Sequence, residues 1–264
     1  MAIKFCSLAS GSSGNCQYIE TDHVKVLIDS GLSGKKVENL LKKIYVDPST
    51  IDYILVTHEH KDHTKGVGIL SRRYNIPIYA NTNTWNGMKE DLGKLKTENI
   101  LQFKTNEGFE IKDLAVLPFN IYHDSNEPVG FSFYHKNRKI SYLTDTGRVD
   151  DNIKSRIKNS NLLMIESNHD VEMLKMGKYP WFLKQRVLSD NGHLSNESAG
   201  QLITEVLSGN NECVLLGHIS KDNNFPELAY HTVKNIVTES GVNIEKDISI
   251  DLTYRELPTR VYNF

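Results

Sequence analysis

Three imidazoles and an aspartate crowd the segment Thr57-His58-Glu59-His60-Lys61-Asp62-His63, directly after the apolar run Tyr53-Ile54-Leu55-Val56. These are side chains that hold divalent cations. Imidazole suits zinc, iron or manganese, and a carboxylate alongside favours a hydrolytic centre over a thiolate structural one. A strand end can aim several donors at one point. In an extended segment or tight turn alternate residues point the same way, so His58 and His60 suit one cation. Adjacent Asp62 and His63 diverge and can serve a second. Glu59 is interleaved with them and is expected to point away as a solvated acid, not a ligand.

The elements that must position these donors alternate between strand and helix. Strand patterns cover residues 3–8, 24–28, 76–80, 109–118, 130–134, 140–143, 162–165 and 213–216, besides the run before His58. Helical spacing links Val37, Leu40, Leu41 and Ile44, closed by Asp47-Pro48, and then Val67, Leu70 and Tyr74. Ser195 is an N-cap candidate for a helix with apolar face Ala199, Leu202, Ile203, Val206 and Leu207, and Pro226 can open the next helix. Several strands end in a further donor: His123 after Asn120-Ile121-Tyr122, Asp145 after Tyr142-Leu143-Thr144, and His218 after Leu215-Leu216-Gly217. A lone His or Asp at such an end usually satisfies its own loop. A series of them places donors along one sheet edge, where α/β proteins build their sites.

Composition limits the alternatives. The chain has 264 residues, is 39% hydrophobic and 24% charged, and carries net −2. With no linker, repeat or composition shift, one α/β domain over residues 1–264 with mixed β-sheets is the simplest account. The charge balance means that any attraction to phosphate must be local. Cys6, Cys16 and Cys213 are odd in number and widely spread, which predicts a reducing compartment and no disulfide-linked partner. Met1 leads directly into a strand pattern and no apolar run approaches membrane-spanning length, so a cytoplasmic protein with no membrane partner is expected. His23, His135 and His231 lie in no motif and read as surface or packing residues.

The order His58-x-His60-x-Asp62-His63, His123, Asp145, His218 resembles the metallo-β-lactamase superfamily over nearly the whole chain. The resemblance implies a four-layer αββα sandwich with two divalent metal ions, zinc or manganese or else iron, at one edge. It implies that His58, His60 and His123 hold the first ion, Asp62, His63 and His218 the second, and that Asp145 bridges them. Asp29, at the end of Leu27-Ile28, matches the superfamily's early aspartate, a support for the ligand loop. The Ser10-Gly11-Ser12-Ser13-Gly14-Asn15 turn, Glu166-Ser167-Asn168-His169-Asp170, Gly192-His193-Leu194-Ser195-Asn196 and Gly217-His218-Ile219-Ser220 are similar to the YycJ (WalJ) family of bacterial metallohydrolases. That implies metal-dependent phosphodiester hydrolysis, with a 5′→3′ DNA exonuclease leading and RNA a less favoured partner than DNA. A β-CASP insertion does not fit in this length, which sets the chain apart from larger ribonucleases of the fold. An RNA-processing nuclease or a small-molecule phosphodiester or thioester hydrolase is the alternative; a non-catalytic metal module needs no such full ligand set.

Phosphoryl chemistry suits these residues. Two ions about 3.5–4 Å apart lower the pKa of a shared water and polarise a phosphoryl oxygen, so a bridging hydroxide can attack phosphorus in line. Asp62 can orient that hydroxide. His193 and His169 are the candidates for protonating the leaving oxygen, and a loop hydrogen bond or a place before an N-cap is the plainer reading of each. The helix start at Ser195 offers N–H groups to phosphate. On its residues alone, the Ser/Gly turn is a flexible hairpin; the resemblance gives Ser10, Ser12, Ser13 and Asn15 a substrate-side role. Lys175, Lys178, Tyr179, Trp181, Lys184 and Arg186 form a basic, aromatic stretch that could grip nucleic acid through phosphate contacts such as Lys178. The simpler expectation is an ordinary surface loop with Trp181 and Phe182 packed onto the core.

Overall fold

Strand alternation sorts the apolar side chains of this chain onto opposite sheet faces. The computed structural model describes residues 2–244 and 246–264. Six strands come first: β1 (Lys4–Ala9), β2 (Cys16–Glu20), β3 (Lys25–Ile28), β4 (Tyr53–Leu55), β5 (Ile78–Ala80) and β6 (Ile100–Gln102). Then follow β7 (Phe109–Ile111), β8 (Leu114–Asn120), β9 (Val129–His135), β10 (Arg138–Leu143), β11 (Leu162–Glu166), β12 (Glu212–Gly217) and β13 (Ile248–Leu252), before β14 (Tyr262–Asn263) returns to the first group. Among the described residues they make two sheets, ordered β14-β1-β2-β3-β4-β5-β6 and β13-β12-β11-β10-β9-β8-β7. Both are mixed: β1–β2–β3 and β7–β8–β9–β10 pair antiparallel, whereas β3 to β6 and β10 to β13 pair parallel.

The connecting helices are α1 (Gly34–Lys43), α2 (Lys61–Thr64), α3 (Val67–Tyr74) and α4 (Thr82–Met88), then α5 (Asp151–Ile157), α6 (Val171–Met176), α7 (Trp181–Leu188), α8 (Asn196–Val206) and α9 (Pro226–Glu239). Phe5, Ile19, Val26, Ile28 and Leu55 of the first sheet meet Val116, Phe131, Phe133, Tyr142, Met164 and Leu215 of the second in the inter-sheet core. Their strand neighbours Cys6, Leu8, Tyr18, Leu27 and Ile54 pack with Val37, Leu41, Val67, Leu70, Trp85 and Met88 of α1, α3 and α4. On the far side Leu163, Ile165, Val214 and Leu216 pack with Ile153, Ile157, Leu202, Ile203, Val206, Val233 and Val237 of α5, α8 and α9. Three apolar interfaces therefore separate four layers, the αββα sandwich with mixed sheets that the strand pattern and the resemblance led us to expect. Each such buried Val, Leu, Ile or Phe contributes roughly 1.5–3 kcal/mol over its exposed state.

Some elements differ from the sequence expectation. Residues 109–118 are not one strand but the β7–β8 hairpin, turned at Lys112 with φ 54°. The first long helix stops at Lys43, and Pro48–Thr50 forms a separate 3₁₀ turn capped by Asp47, which accepts from Ser49 N at 2.9 Å. Ser195 does cap α8, accepting from Ser198 N at 3.1 Å, and Pro226 does open α9. The basic, aromatic stretch is helical on either side of a turn that carries Lys178 and Tyr179, and neither ring is packed away: Trp181 is 68% and Phe182 72% exposed. Among the described residues no helix is long and apolar enough to cross a membrane.

Candidate metal centre

Strand register brings the expected donors to one rim. Ile28 pairs with Leu55, which sets Asp29 beside the start of the His58 loop. Leu143 pairs with Ile165 and Ile165 with Leu216, so Asp145, Glu166 and His218 lie at the ends of three adjacent parallel strands. Asp29 (φ 59°), Asp145 (φ 59°) and His218 (φ 50°) all adopt the left-handed conformation. That conformation costs an L-residue roughly 1–2 kcal/mol and is best tolerated, glycine aside, by Asp, Asn and His.

Donor atoms of His58, His60 and His123 lie within 4.8 Å of one another, as do those of His58, His63 and Asp145, and those of Asp145, His193 and His218. Asp145 belongs to two of these groups, at the position where the resemblance puts a bridge. One of its oxygens is 3.0 Å from His218 Nδ1 and 3.3 Å from His63 Nε2. Burial alone would raise the pKa of Asp145, but the imidazoles of His218 and His63 outweigh it and hold the carboxyl well below the usual range. Asp62 lies 3.6 Å from His63 Nε2.

The donor set fits divalent cations. His58 Nε2 is buried with no hydrogen-bond partner among the described residues, while its Nδ1 sits 2.9 Å from Thr57 Oγ1. Burial, reinforced by the nearby His63, keeps His58 well below the usual imidazole range and therefore in the neutral form that ligates metal. His63 Nδ1 lies 2.8 Å from Asp29 Oδ2, and His123 Nδ1 lies 3.3 Å from the Gly192 carbonyl. An acceptor on one ring nitrogen, leaving the other turned to its fellow donors, is the usual second contact of a metal-binding histidine.

A buried network holds this geometry. Asp29 accepts from Thr57 N and Thr57 Oγ1, both at 2.9 Å. The Asp62 carbonyl accepts from Asn15 N at 2.8 Å, and the Asn15 carbonyl accepts from Gly31 N at 2.8 Å. A Cβ on Gly31 would fall 1.6 Å from that Asp62 carbonyl oxygen, so only glycine lets the two segments meet.

The residues expected on the substrate side are divided. Ser12 and Ser13 are exposed and Ser12 lines the cavity of about 280 Å³ above the donors, together with His60, Asp62, His123, Asp145, His193 and His218. Asn15 and Ser10 are instead buried beneath it. Asn15 Nδ2 is 3.0 Å from His63 Nε2, and the Ser10 hydroxyl accepts from His218 N at 2.8 Å, so both support the donors from below. Ser195 is buried as the α8 cap. His169 is buried and does not line the cavity; burial, which outweighs the nearby Glu166 carboxylate, holds it down at about 4. Lys178 is exposed between α6 and α7, outside the cavity. Glu59 is no free solvated acid, since it accepts from Asn126 N at 2.8 Å.

Sequence reasoning missed Glu166. It is fully buried at the end of β11, accepts from Thr146 N at 2.7 Å and Leu194 N at 3.1 Å, and lies 3.1 Å from His193 Nδ1. Burial disfavours a charged His193, but Glu166 and then Asp145 prevail and raise it to about 9. An acid closing the apolar run Leu162-Leu163-Met164-Ile165 was the signal available. Arg186 and Tyr179 also line the cavity, and Arg186 is ion-paired with Asp124, next to His123.

Comparison with known proteins agrees with this geometry. The beta-lactamase superfamily domain model matches residues 25–219, a span that runs past His218. Exodeoxyribonuclease YycJ of Bacillus anthracis is 42% identical over 261 residues, covering 99% of this chain and 99% of its own. Exodeoxyribonuclease WalJ of Streptococcus pneumoniae serotype 2 (strain D39 / NCTC 7466) is 40% identical over 252 residues, 95% of this chain and 94% of its own. The solved metallo-beta-lactamase fold protein YhfI from Bacillus subtilis has a TM-score of 0.75 at 15% identity, covers 100% of both chains, and shares the fold. From strand order, donor series and near-full-length identity together, the chain belongs to the metallo-β-lactamase superfamily and, within it, to the family of the YycJ and WalJ proteins.

Proposed function

We propose that this chain is a metal-dependent exodeoxyribonuclease that degrades DNA in the 5′→3′ direction in the cytoplasm. The observation that carries the reading is a buried donor set open to one cavity, in a chain more than 40% identical over nearly its whole length to a curated exodeoxyribonuclease. His58, His60 and His123 would hold one divalent ion, Asp62, His63 and His218 another, and Asp145 both, with zinc or manganese as the ions. Such ions, when bound, lower the pKa of water and offset charge on a phosphoryl oxygen.

The chain's own groups do the rest. Asp62 lines the cavity and can accept a hydrogen bond from the attacking water, fixing its direction. Glu166 takes the Nδ1 side of His193, which leaves the Nε2–H as the proton for the leaving oxygen. Ser12, at the cavity edge, can donate to a non-bridging phosphate oxygen. The test is purified protein with manganese or zinc, offered DNA labelled at either end, RNA, bis-p-nitrophenyl phosphate and a thioester. Early release of the 5′ label, lost in a folded His58→Ala variant, is the expected result. Thioester turnover without phosphodiester turnover would overturn the reading, and preference for RNA would move it to the RNA-processing class.

A further inference from the structure

Helix α7 walls the metal cavity and also carries two large exposed rings. Leu183, Arg186 and Val187 recur at helical spacing and line the cavity. Trp181 and Phe182 lie off that face, 68% and 72% exposed. A contiguous exposed apolar patch is the kind of surface at which partners bind, and two neighbouring exposed rings make one here. The charge around them is unlike that of the whole chain. Residues 170–190 hold Lys175, Lys178, Lys184 and Arg186 against Asp170, Glu172 and Asp190, net +1 in a chain of net −2, and among the described residues Lys175 and Arg186 are ion-paired whereas Lys178 and Lys184 have no carboxylate within 4 Å. The ion pair of Arg186 with Asp124 ties this cationic, aromatic wall to the His123 segment.

We propose that α7 and the Lys178 turn before it form a guide for single-stranded DNA leaving the cavity, with Trp181 and Phe182 as stacking rings and Lys178 and Lys184 as phosphate contacts. The inference rests on the exodeoxyribonuclease reading and adds how the strand beyond the cleaved bond is held. The occupant is single-stranded because an unpaired base offers its π-face to a ring, and a stacked duplex hides it. The grip is independent of sequence, since every base has that face and every link a phosphate.

The chain has two tryptophans, and Trp85 is buried at 6% exposure, so a change in fluorescence on binding reports Trp181. Oligodeoxythymidylate should quench that emission in the full-length, manganese-loaded protein. The double variant Trp181→Ala/Phe182→Ala, at exposed positions that leave the core intact, should raise KM for a dodecamer about tenfold or more and leave a dinucleotide unaffected. Lys178→Ala/Lys184→Ala should reduce the salt slope of dodecamer binding by about 1.4, at about 0.7 per single-strand phosphate contact. Emission unchanged by oligodeoxythymidylate, with dodecamer KM and salt slope unchanged in the variants, would overturn the guide while leaving the nuclease intact. Quenching and salt dependence without any DNA cleavage would support the guide and sink the nuclease reading.

Discussion

Histidine and aspartate gather at both ends of the sheets, and the two gatherings behave differently. At the carboxyl ends of β3, β4, β10 and β12, Asp145 faces His63 and His218, and Asp29 is consumed by Thr57 and His63. At the other end, Asp22 before β3, Asp113 before β8 and His135 at the end of β9 also offer donors within 4.8 Å of one another. There Asp22 is exposed and already has Lys136 at 3.6 Å, Asp113 accepts from Thr21 at 2.6 Å, and His135 Nδ1 meets the Asp113 carbonyl at 3.0 Å. Residue type and proximity are alike. What differs is the number of donors: Asp145 lies within 4 Å of ring nitrogens of His63, His193 and His218, with His58 beside them, whereas at the far pole Asp22 is paired with Lys136 and His135 is the one imidazole of its group. A carboxylate paired with a single ammonium has its charge met; a carboxylate ringed by several ring nitrogens belongs to a donor set that can close around a cation.

Substitutions can break or sharpen that contrast. The largest effect belongs to Asp145→Asn, which should abolish DNA cleavage and lower the metal content measured by elemental analysis; full activity would erase the distinction between the poles. If His193 is the proton donor proposed above, His193→Gln should lower kcat by about 10²–10⁴-fold with metal content kept. Asp29→Ala, one contact further out, should weaken metal affinity by about 10–100-fold in a competition titration. His169 sharpens the contrast through pH. Its folded-state value of about 4 lies below the ordinary 6.5, so the unfolded chain takes up the proton first as pH falls. Stability attributable to its burial is therefore complete above pH 6.5 and is lost between 6.5 and about 4, by at most about 3 kcal/mol. Denaturation of His169→Gln should show a flatter acid limb across that window. The smallest effect belongs to Asp113→Asn at the far pole, for which metal content and cleavage rate should stay at wild-type levels. A drop in metal content there would show that the lysine pairing does not exclude a cation.

How much of this was readable without coordinates follows from how local each interaction is. His58, His60, Asp62 and His63 lie in one stretch, and His123, Asp145 and His218 each follow a recognisable strand. Strand and helix patterns gave one α/β domain with mixed sheets, and the four-layer sandwich was implied by the resemblance that the donor series carries. Glu166 was quoted in a motif yet given no role, because its partners are His193 and two backbone amides up to 28 residues away. Asn15 and Ser10 were placed on the substrate side by the resemblance, since their residue types alone read as a flexible hairpin turn; only the fold shows that His63 and His218 sit on them. The outward rings of α7 were misjudged for the opposite reason. Apolar residues are assigned to the core by default, and nothing in a single sequence says that Trp181 has been left outside.

The left-handed backbone at Asp29, Asp145 and His218 has a bearing on drift. That region favours glycine, asparagine, aspartate and histidine several-fold over other residues, although Tyr45, Lys112 and Lys136 also occupy it in this chain. A mutation at these three rim positions thus meets a conformational filter before any chemical one. The replacements the chain can accommodate without bending are drawn largely from aspartate, asparagine, histidine and glycine, so the polypeptide's own stereochemistry screens its rim for donor-bearing residues.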